Sequence, residues 1–309
     1  MKLIFMGSSS FCIPILKALL KTNIDIMRVY TQPPKFAGRG KKLFEVPVSS
    51  FAKDIGLEVC QPESFLLPSE VENLRVMQPD IILVVAYGLL LPKKVLEVPK
   101  LAAINLHASI LPKWRGAAPI QRSIIAGDKY SGLSIMKMEE QLDSGPIYEV
   151  LKEKILHNDT YSSLSNRLSE LGGEFLINFL KTVEISSPRA QNVTGATYAG
   201  KILKCETKIN WHEPAQKIDC KIRGLSERPG AWTNINGERI KILSSALVEG
   251  IKKREAISPG TVTHIGDAGI EVVCGTGRIL IERLQRPGKI PLHSSDFLRG
   301  FRIHPNQIL

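Results

Sequence analysis

No apolar run in this 309-residue chain approaches the roughly 20 residues that a membrane-spanning helix needs. The start, MKLIFMGSSS, has one Lys and a five-residue apolar run, so it reads as a first buried strand rather than a targeting leader. A cytoplasmic protein is the expectation. Paired cysteines are lacking too: Cys12, Cys60, Cys205, Cys220 and Cys274 are scattered, odd in number and form no C-x-x-C with histidine partners. This favours reduced structural thiols over a disulfide framework or a zinc site, and no metal is expected. The turn after the first apolar run, Gly7-Ser8-Ser9-Ser10, lacks the dinucleotide fingerprint G-x-G-x-x-G, and no phosphate-binding G-x-x-x-x-G-K-[ST] occurs. Neither kind of nucleotide site is supported. Internal repeats and low-complexity tracts are absent as well.

Acidic residues are the minority, 30 against 41 Lys+Arg, for a net charge of +11. The surplus is steepest in residues 201–309, with 18 basic against 11 acidic residues. Such a balance suits a polyanionic partner, although lysine-rich solubility has the same signature. The length exceeds what one hydrophobic core usually holds, which favours two domains. In the first part, short apolar runs (KLIFM, IDIMRVYT, LEVC, DIILVVA) alternate with helix-like segments at Phe11–Lys21, Val48–Ile55 and Ser69–Met77. Continuous runs such as Ile81–Val85 are what a parallel strand covered on both faces looks like. The alternation predicts an α/β fold with a doubly wound, mostly parallel sheet over 1–184. Further strands are expected at Ala102–Leu106 and Leu133–Met138. A long helix, Tyr161–Val183, carries a packing stripe at Leu164, Leu168, Leu171, Phe175 and Phe179. A linker is expected over 185–204, where ISSPRAQNVTGAT is polar and carries Pro188 and Gly195. Over 205–309 several short strand-like runs, with Asn236-Gly237 as a hairpin turn, predict a second, smaller β-barrel of the oligonucleotide-binding kind.

Asn105 and His107 fall at the carboxyl end of a predicted central strand, in INLHASILPKWRGAAPIQRSIIAGD. Period-two geometry puts both on one face, at the edge where open α/β sheets bind ligands. An amide can stabilise an oxyanion and an imidazole can move a proton, which together fit acyl transfer. A strand histidine has a structural reading too, and the pair alone leaves both open. Asp143, in MEEQLDSGPI, is expected at the same edge, where it would orient the imidazole, hold a water, or simply shape the turn before Gly145.

These two frames resemble the catalytic region of the folate-dependent formyltransferases. RGAAPIQ is especially like the members that act on charged initiator tRNA. TQPPKFAGRGKKL (Thr31–Leu43), VVAYGLLLP (Val84–Pro92), GATYAGKI (Gly195–Ile202) and DFLRGFRI (Asp296–Ile303) match in order, so the resemblance spans essentially the whole chain. It implies His107 as proton acceptor and donor, Asn105 on the developing oxyanion and Asp143 orienting His107 and a relayed water. It implies 10-formyltetrahydrofolate as co-substrate, with the pterin against Ala86, Tyr87, Gly88, Leu89, Leu90 and Leu91 and the backbone near Leu142. Ser109, Ile110, Leu111 and Pro112 fall at the family's folate-binding stretch. The implied acceptor is the α-amine of initiator methionyl-tRNA, with a loop carrying Lys35, Arg39, Lys41 and Lys42 entering the acceptor stem and Arg39 reading its end. By composition alone that loop is also an ordinary solvated basic loop. The basic C-terminal domain would then meet tRNA phosphates, while no membrane or obligate protein partner is implied. Trp114 and Arg115 read equally as packing or as support for the loop. The family's usual first turn, G-T-P-x-F-A, is replaced here by Gly7-Ser8-Ser9-Ser10-Phe11-Cys12, and Ser226-Glu227-Arg228-Pro229 replaces a more aromatic run. Two rivals remain: transfer to a small amine such as glycinamide ribonucleotide or an amino sugar, and an idle tRNA-binding protein. The basic segments argue against the first and the intact polar trio against the second.

Overall fold

The computed structural model describes residues 1–37, 42–250 and 256–309. In chain order its elements are β1 (Lys2–Gly7), α1 (Cys12–Leu19), β2 (Asp25–Tyr30), β3 (Lys35–Ala37), β4 (Lys42–Phe44), α2 (Pro47–Asp54), β5 (Val59–Cys60), α3 (Pro68–Met77), β6 (Ile81–Val85), α4 (Lys93–Leu96), β7 (Ala102–His107) and β8 (Arg115–Gly116). There follow α5 (Pro119–Ile125), β9 (Tyr130–Lys137), β10 (Ile147–Lys154), α6 (Tyr161–Leu180), β11 (Tyr198–Ala199), α7 (Ala215–Leu225), β12 (Ala231–Ile235), β13 (Glu238–Leu247), β14 (Val262–Gly266), β15 (Gly269–Val273), β16 (Arg278–Gln285), β17 (Leu292–His293) and α8 (Ser294–Gly300). They form two compact units: Met1–Pro119, Ser131–Lys154 and Ser165–Ala199 in one, and Ile120–Tyr130, Ile155–Leu164 and Gly200–Leu309 in the other. The units therefore alternate along the sequence. Within the stretch expected as a linker, residues up to Ala199 belong to the first unit, where β11 pairs in parallel with β8.

The first unit is built on a seven-stranded sheet in the order β10-β9-β7-β6-β1-β2-β5. Its centre is parallel, as the continuous apolar runs predict: β1 pairs with β2 and β6, β6 with β7, and β2 with β5. Every residue of β6 is buried, because helices cover both faces of the sheet. β9 joins β7 antiparallel, so the parallel run ends at the strand that carries the site. In α1 the buried Cys12, Ile15, Leu16 and Leu19 follow helical spacing. In α6, Leu168, Leu176 and Phe179 are buried, whereas Leu171 and Phe175 of the expected stripe are half-buried. A side chain at Gly173 would stand 2.6 Å from the Ala18 Cβ, so a glycine lets α6 and α1 approach closely. β10 (IYEVLKEK) is a partly exposed edge strand whose charges hide it from a search for apolar runs.

The second unit has a six-stranded antiparallel sheet in the order β12-β13-β16-β15-β14, with β17 beside β16. The Asn236-Gly237 turn is as expected, both residues having positive φ (52° and 80°) and joining β12 to β13 in register. The barrel expected from the strand texture is not closed: among the described residues the strand path is open between β12 and β14. Ile218, Ile222 and Leu225 of α7 and Phe297 of α8 lie in the same buried cluster as the strand residues. These helices therefore contribute apolar side chains to the core of this sheet. No helix of the described residues is long and apolar enough to cross a membrane.

Candidate active site

β7 reaches one residue beyond the expected strand, so His107 is its last residue. Asn105 pairs with Val84 on one side and Met136 on the other, and His107 faces Ser134. That register sets both side chains on the same face, and both residues are buried. The strand ends in a tight support. Ser134 Oγ donates to Ser109 O at 2.7 Å and accepts from Leu111 N at 3.0 Å, while Ser109 Oγ donates to Lys113 O at 2.6 Å. The chain then turns back through Trp114, with φ 62°. Its carbonyl lies 2.9 Å from His107 Nε2. A carbonyl only accepts, so this bond assigns the ring hydrogen to Nε2 and leaves Nδ1 as the basic nitrogen.

Asp143 completes the group from the loop between β9 and β10. Its Oδ1 accepts from Asn105 Nδ2 at 3.3 Å, and its Oδ2 accepts from Gly116 N at 2.8 Å. The same Oδ2 stands 3.7 Å from His107 Nδ1, with both side chains about nine-tenths buried. That distance is within ion-pair range but too long for a direct hydrogen bond. A proton arriving at Nδ1 would thus meet a carboxylate held by two other donors. Expected at one sheet edge from sequence, Asn105, His107 and Asp143 are brought together in one contact set.

Sequence reasoning missed the residues that hold this arrangement from behind. Gln191 Nε2 donates to Asp143 O at 2.9 Å and to Gly145 O at 2.7 Å. Its Oε1 accepts from Arg115 Nε at 3.1 Å and Nη2 at 2.7 Å. Arg115 is buried, so this guanidinium is structural. Thr197 Oγ1 accepts from Trp114 N at 2.9 Å. Gln191 and Thr197 lie in a polar stretch that reads as a linker. The turn after Asp143 leaves no room for a side chain at Gly145, where a Cβ would fall 1.9 Å from Lys137 O.

The stretch 86–91 alternates. Ala86 and Gly88 are exposed at positive φ (43° and 81°), whereas Tyr87 between them is buried. The Tyr87 ring packs 6.4 Å from that of Phe65, and burial pushes its hydroxyl pKa upward. Its side chain therefore belongs to the core. Leu91 is buried and Leu89 partly so, but Leu90 and Leu142 are 82% and 56% exposed. Ser109 and Leu111 are buried and committed to the strand-end support, while Ile110 and Pro112 are half-buried. The Gly7-Ser8-Ser9-Ser10 turn holds the 86–88 stretch: Ser8 N donates to Ala86 O at 3.3 Å, and Ser8 Oγ donates to Tyr87 O at 3.0 Å and accepts from Gln32 N at 2.9 Å. Burial pushes the Cys12 thiol up to about 12, so it stays protonated and inert. No group of three or more metal-ligating side chains occurs among the described residues.

Of the basic loop, Lys35 is exposed and its Nζ donates to Gln32 Oε1 at 2.6 Å. Lys42 lies in β4, which pairs antiparallel with β3. Arg39 and Lys41 lie outside the described residues. Nearby, Phe36, Leu43 and Phe44 are 72%, 59% and 52% exposed, so the hairpin presents apolar surface as well as charge.

Residues 1–180 match the family model described as formyl transferase, and residues 201–302 match that of the formyl transferase C-terminal domain. A methionyl-tRNA formyltransferase of Cereibacter sphaeroides is 44% identical over 301 residues, covering 97% of this chain and 96% of its own. Among solved structures, an N-formyltransferase from Helicobacter canadensis, in complex with folinic acid and dTDP-3-aminofucose, superposes with TM-score 0.68 at 17% identity. That match covers 93% of this chain and 99% of that one. A methionyl-tRNA formyltransferase from Clostridium thermocellum has TM-score 0.59 at 18% identity, covering 81% and 95%.

Proposed function

From the premise that the chain belongs to the formyl transferase family, we propose that it moves a formyl group from 10-formyltetrahydrofolate to the α-amine of methionine on initiator tRNA. The observation that carries this reading is the Asp143 carboxylate, which contacts Asn105 through one oxygen and faces His107 with the other. The neutral amine attacks the formyl carbon, forming the new C–N bond and a tetrahedral oxyanion. Asn105 keeps one amide hydrogen beyond the one given to Asp143, and that hydrogen stabilises the oxyanion. His107 Nδ1 takes the proton released by the amine, directly or through one water, while Asp143 stabilises the imidazolium so formed. The proton returns to N10 of the folate as the C–N10 bond breaks, and tetrahydrofolate leaves. No covalent enzyme intermediate is needed.

The donor would lie against the exposed residues of the 86–91 stretch and Leu142. Leu90 and Leu142 offer apolar surface to a flat heterocycle, and Ala86 lets ligand approach the backbone without a bulky side chain. The acceptor reading rests on the methionyl-tRNA relatives, the basic loop and the basic surplus of residues 201–309. Lys35, Arg39, Lys41 and Lys42 would engage the acceptor end, and the second unit would supply phosphate contacts that carry affinity without base readout.

The deciding assay offers 10-formyltetrahydrofolate with charged initiator tRNA beside a panel of small amines. Transfer to the tRNA at a kcat/KM far above every small amine is expected. Preference for glycinamide ribonucleotide or an amino sugar would overturn the acceptor, and no transfer to any acceptor would overturn the activity. Raising salt should weaken tRNA binding steeply; a flat response would reject the phosphate contacts.

A further inference from the structure

We infer that Gln191 is a positioning residue for transfer: it sets where the Asp143 carboxylate stands, although it touches neither folate nor amine. This rests on the reading of Asn105, His107 and Asp143 given above.

Asp143 reaches the site from a loop, and its φ of 49° lies in the left-handed region that side chains rarely adopt. Glu139 to Leu142 are all exposed, so packing does little to fix the loop. Its local bonding is sparse: the Ser144 N–H and hydroxyl both donate to Gln141 O, at 3.5 and 3.2 Å. Gln191 supplies what is missing. Both hydrogens of its amide nitrogen are used, on the carbonyls of Asp143 and of Gly145 two residues on. Two donors from one rigid amide fix the spacing and tilt of that turn.

The amide is itself held. Its oxygen accepts both Arg115 nitrogens, so it cannot flip without leaving a buried guanidinium unpaired. The Gln191 backbone is anchored on both sides: Arg189 and Ile147 exchange two bonds of 2.8 Å, and Thr197 O accepts from Arg115 N at 2.9 Å. Arg115 directly precedes Gly116, whose N–H holds Asp143 Oδ2 at 2.8 Å. One side chain therefore joins the backbone behind Asp143 to the segment that grips its carboxylate in front. Loss of the two donors lets Oδ2 drift from His107 Nδ1 and Oδ1 from Asn105.

The test uses the full-length enzyme. Gln191→Glu keeps the length and the Arg115 partner but removes both donors. The expected result is a folded protein whose kcat falls about 10- to 100-fold, the scale of a ~1 Å misplacement, with KM for charged tRNA nearly unchanged. The kcat–pH profile should change, and amide exchange at Gly116 should speed up. Gln191→Asn, which keeps the donors on a shorter arm, should fall between. Should Gln191→Glu fail to fold, the Asn variant is judged by the same measures. Wild-type kcat, pH profile and Gly116 protection in the folded variant would overturn the inference. His107→Ala runs in parallel: if it too turns over normally, the site reading itself has failed. Loss of turnover there beside a normal Gln191 variant sinks the positioning role alone.

Discussion

Two sides of the site are fixed by different means. Asn105 and His107 stand on β7, where the strand register with β6 and β9 decides which way each side chain points. Asp143 stands on a loop, where hydrogen bonds from Gly116, Asn105 and Gln191 decide it. Strand placement costs nothing extra, because the sheet core needs that register anyway. Loop placement depends on polar contacts, each contributing about 1 kcal/mol net. The loop side should therefore be the easier one to misplace without unfolding the protein.

The comparison can be broken from its strand side first. His107→Ala should lower kcat by about 10²–10⁴-fold, the usual share of general acid–base catalysis, with tRNA affinity held. Near-normal turnover would remove the imidazole from the reaction. Gly145→Ala attacks the loop side, since the new Cβ would lie 1.9 Å from Lys137 O. It should cost about 10²-fold in kcat through displacement of Asp143, checked by single-turnover transfer. A melting temperature that falls while kcat holds would show that the loop is not tied to the chemistry.

Smaller effects sharpen the contrast. Ser134→Ala removes the hydroxyl that ties Leu111 N and Ser109 O at the strand end. Stability should drop by about 1–3 kcal/mol with kcat within a few-fold, measured by denaturant unfolding beside turnover. A loss as large as that of Gly145→Ala would mean that the strand end is as labile as the loop. Smallest of all, Gly237→Ala lies in the hairpin of the second unit at φ 80°, with open space around it. Only backbone strain is imposed, about 1 kcal/mol, and formyl transfer should be untouched. A fall in kcat there would contradict the confinement of the reacting groups to the first unit.

The same distinction explains what the sequence could reveal. Ile81–Val85 and Ala102–His107 announce themselves because burial on both faces leaves a mark on every residue. Asn105 and His107 stand out against that background, and period two gives their common face. Asp143 was legible as a polar residue before a glycine, but not its contacts, which depend on partners 38 and 27 residues away. Gln191 was invisible: a side chain bonded to carbonyls 46 and 48 residues distant leaves no local pattern. The C-terminal sheet was legible strand by strand through its turns, but local strand texture carries no information on whether β12 and β14 meet, and the expected closed barrel is an open sheet.

β1 lies beside β6, the central strand of the large sheet, and pairs with it from Leu3–Ile81 through Gly7–Val85. A ribosome makes these partners far apart in time. At ~5–20 residues per second, roughly 4–16 s separate the synthesis of the two strands. For that interval the apolar KLIFM segment has β2 but lacks its second neighbour. The Ser8 bonds to Ala86 and Tyr87 arise at the same moment that β6 docks. The proposed donor rim is therefore absent from the nascent chain until the centre of its sheet is complete.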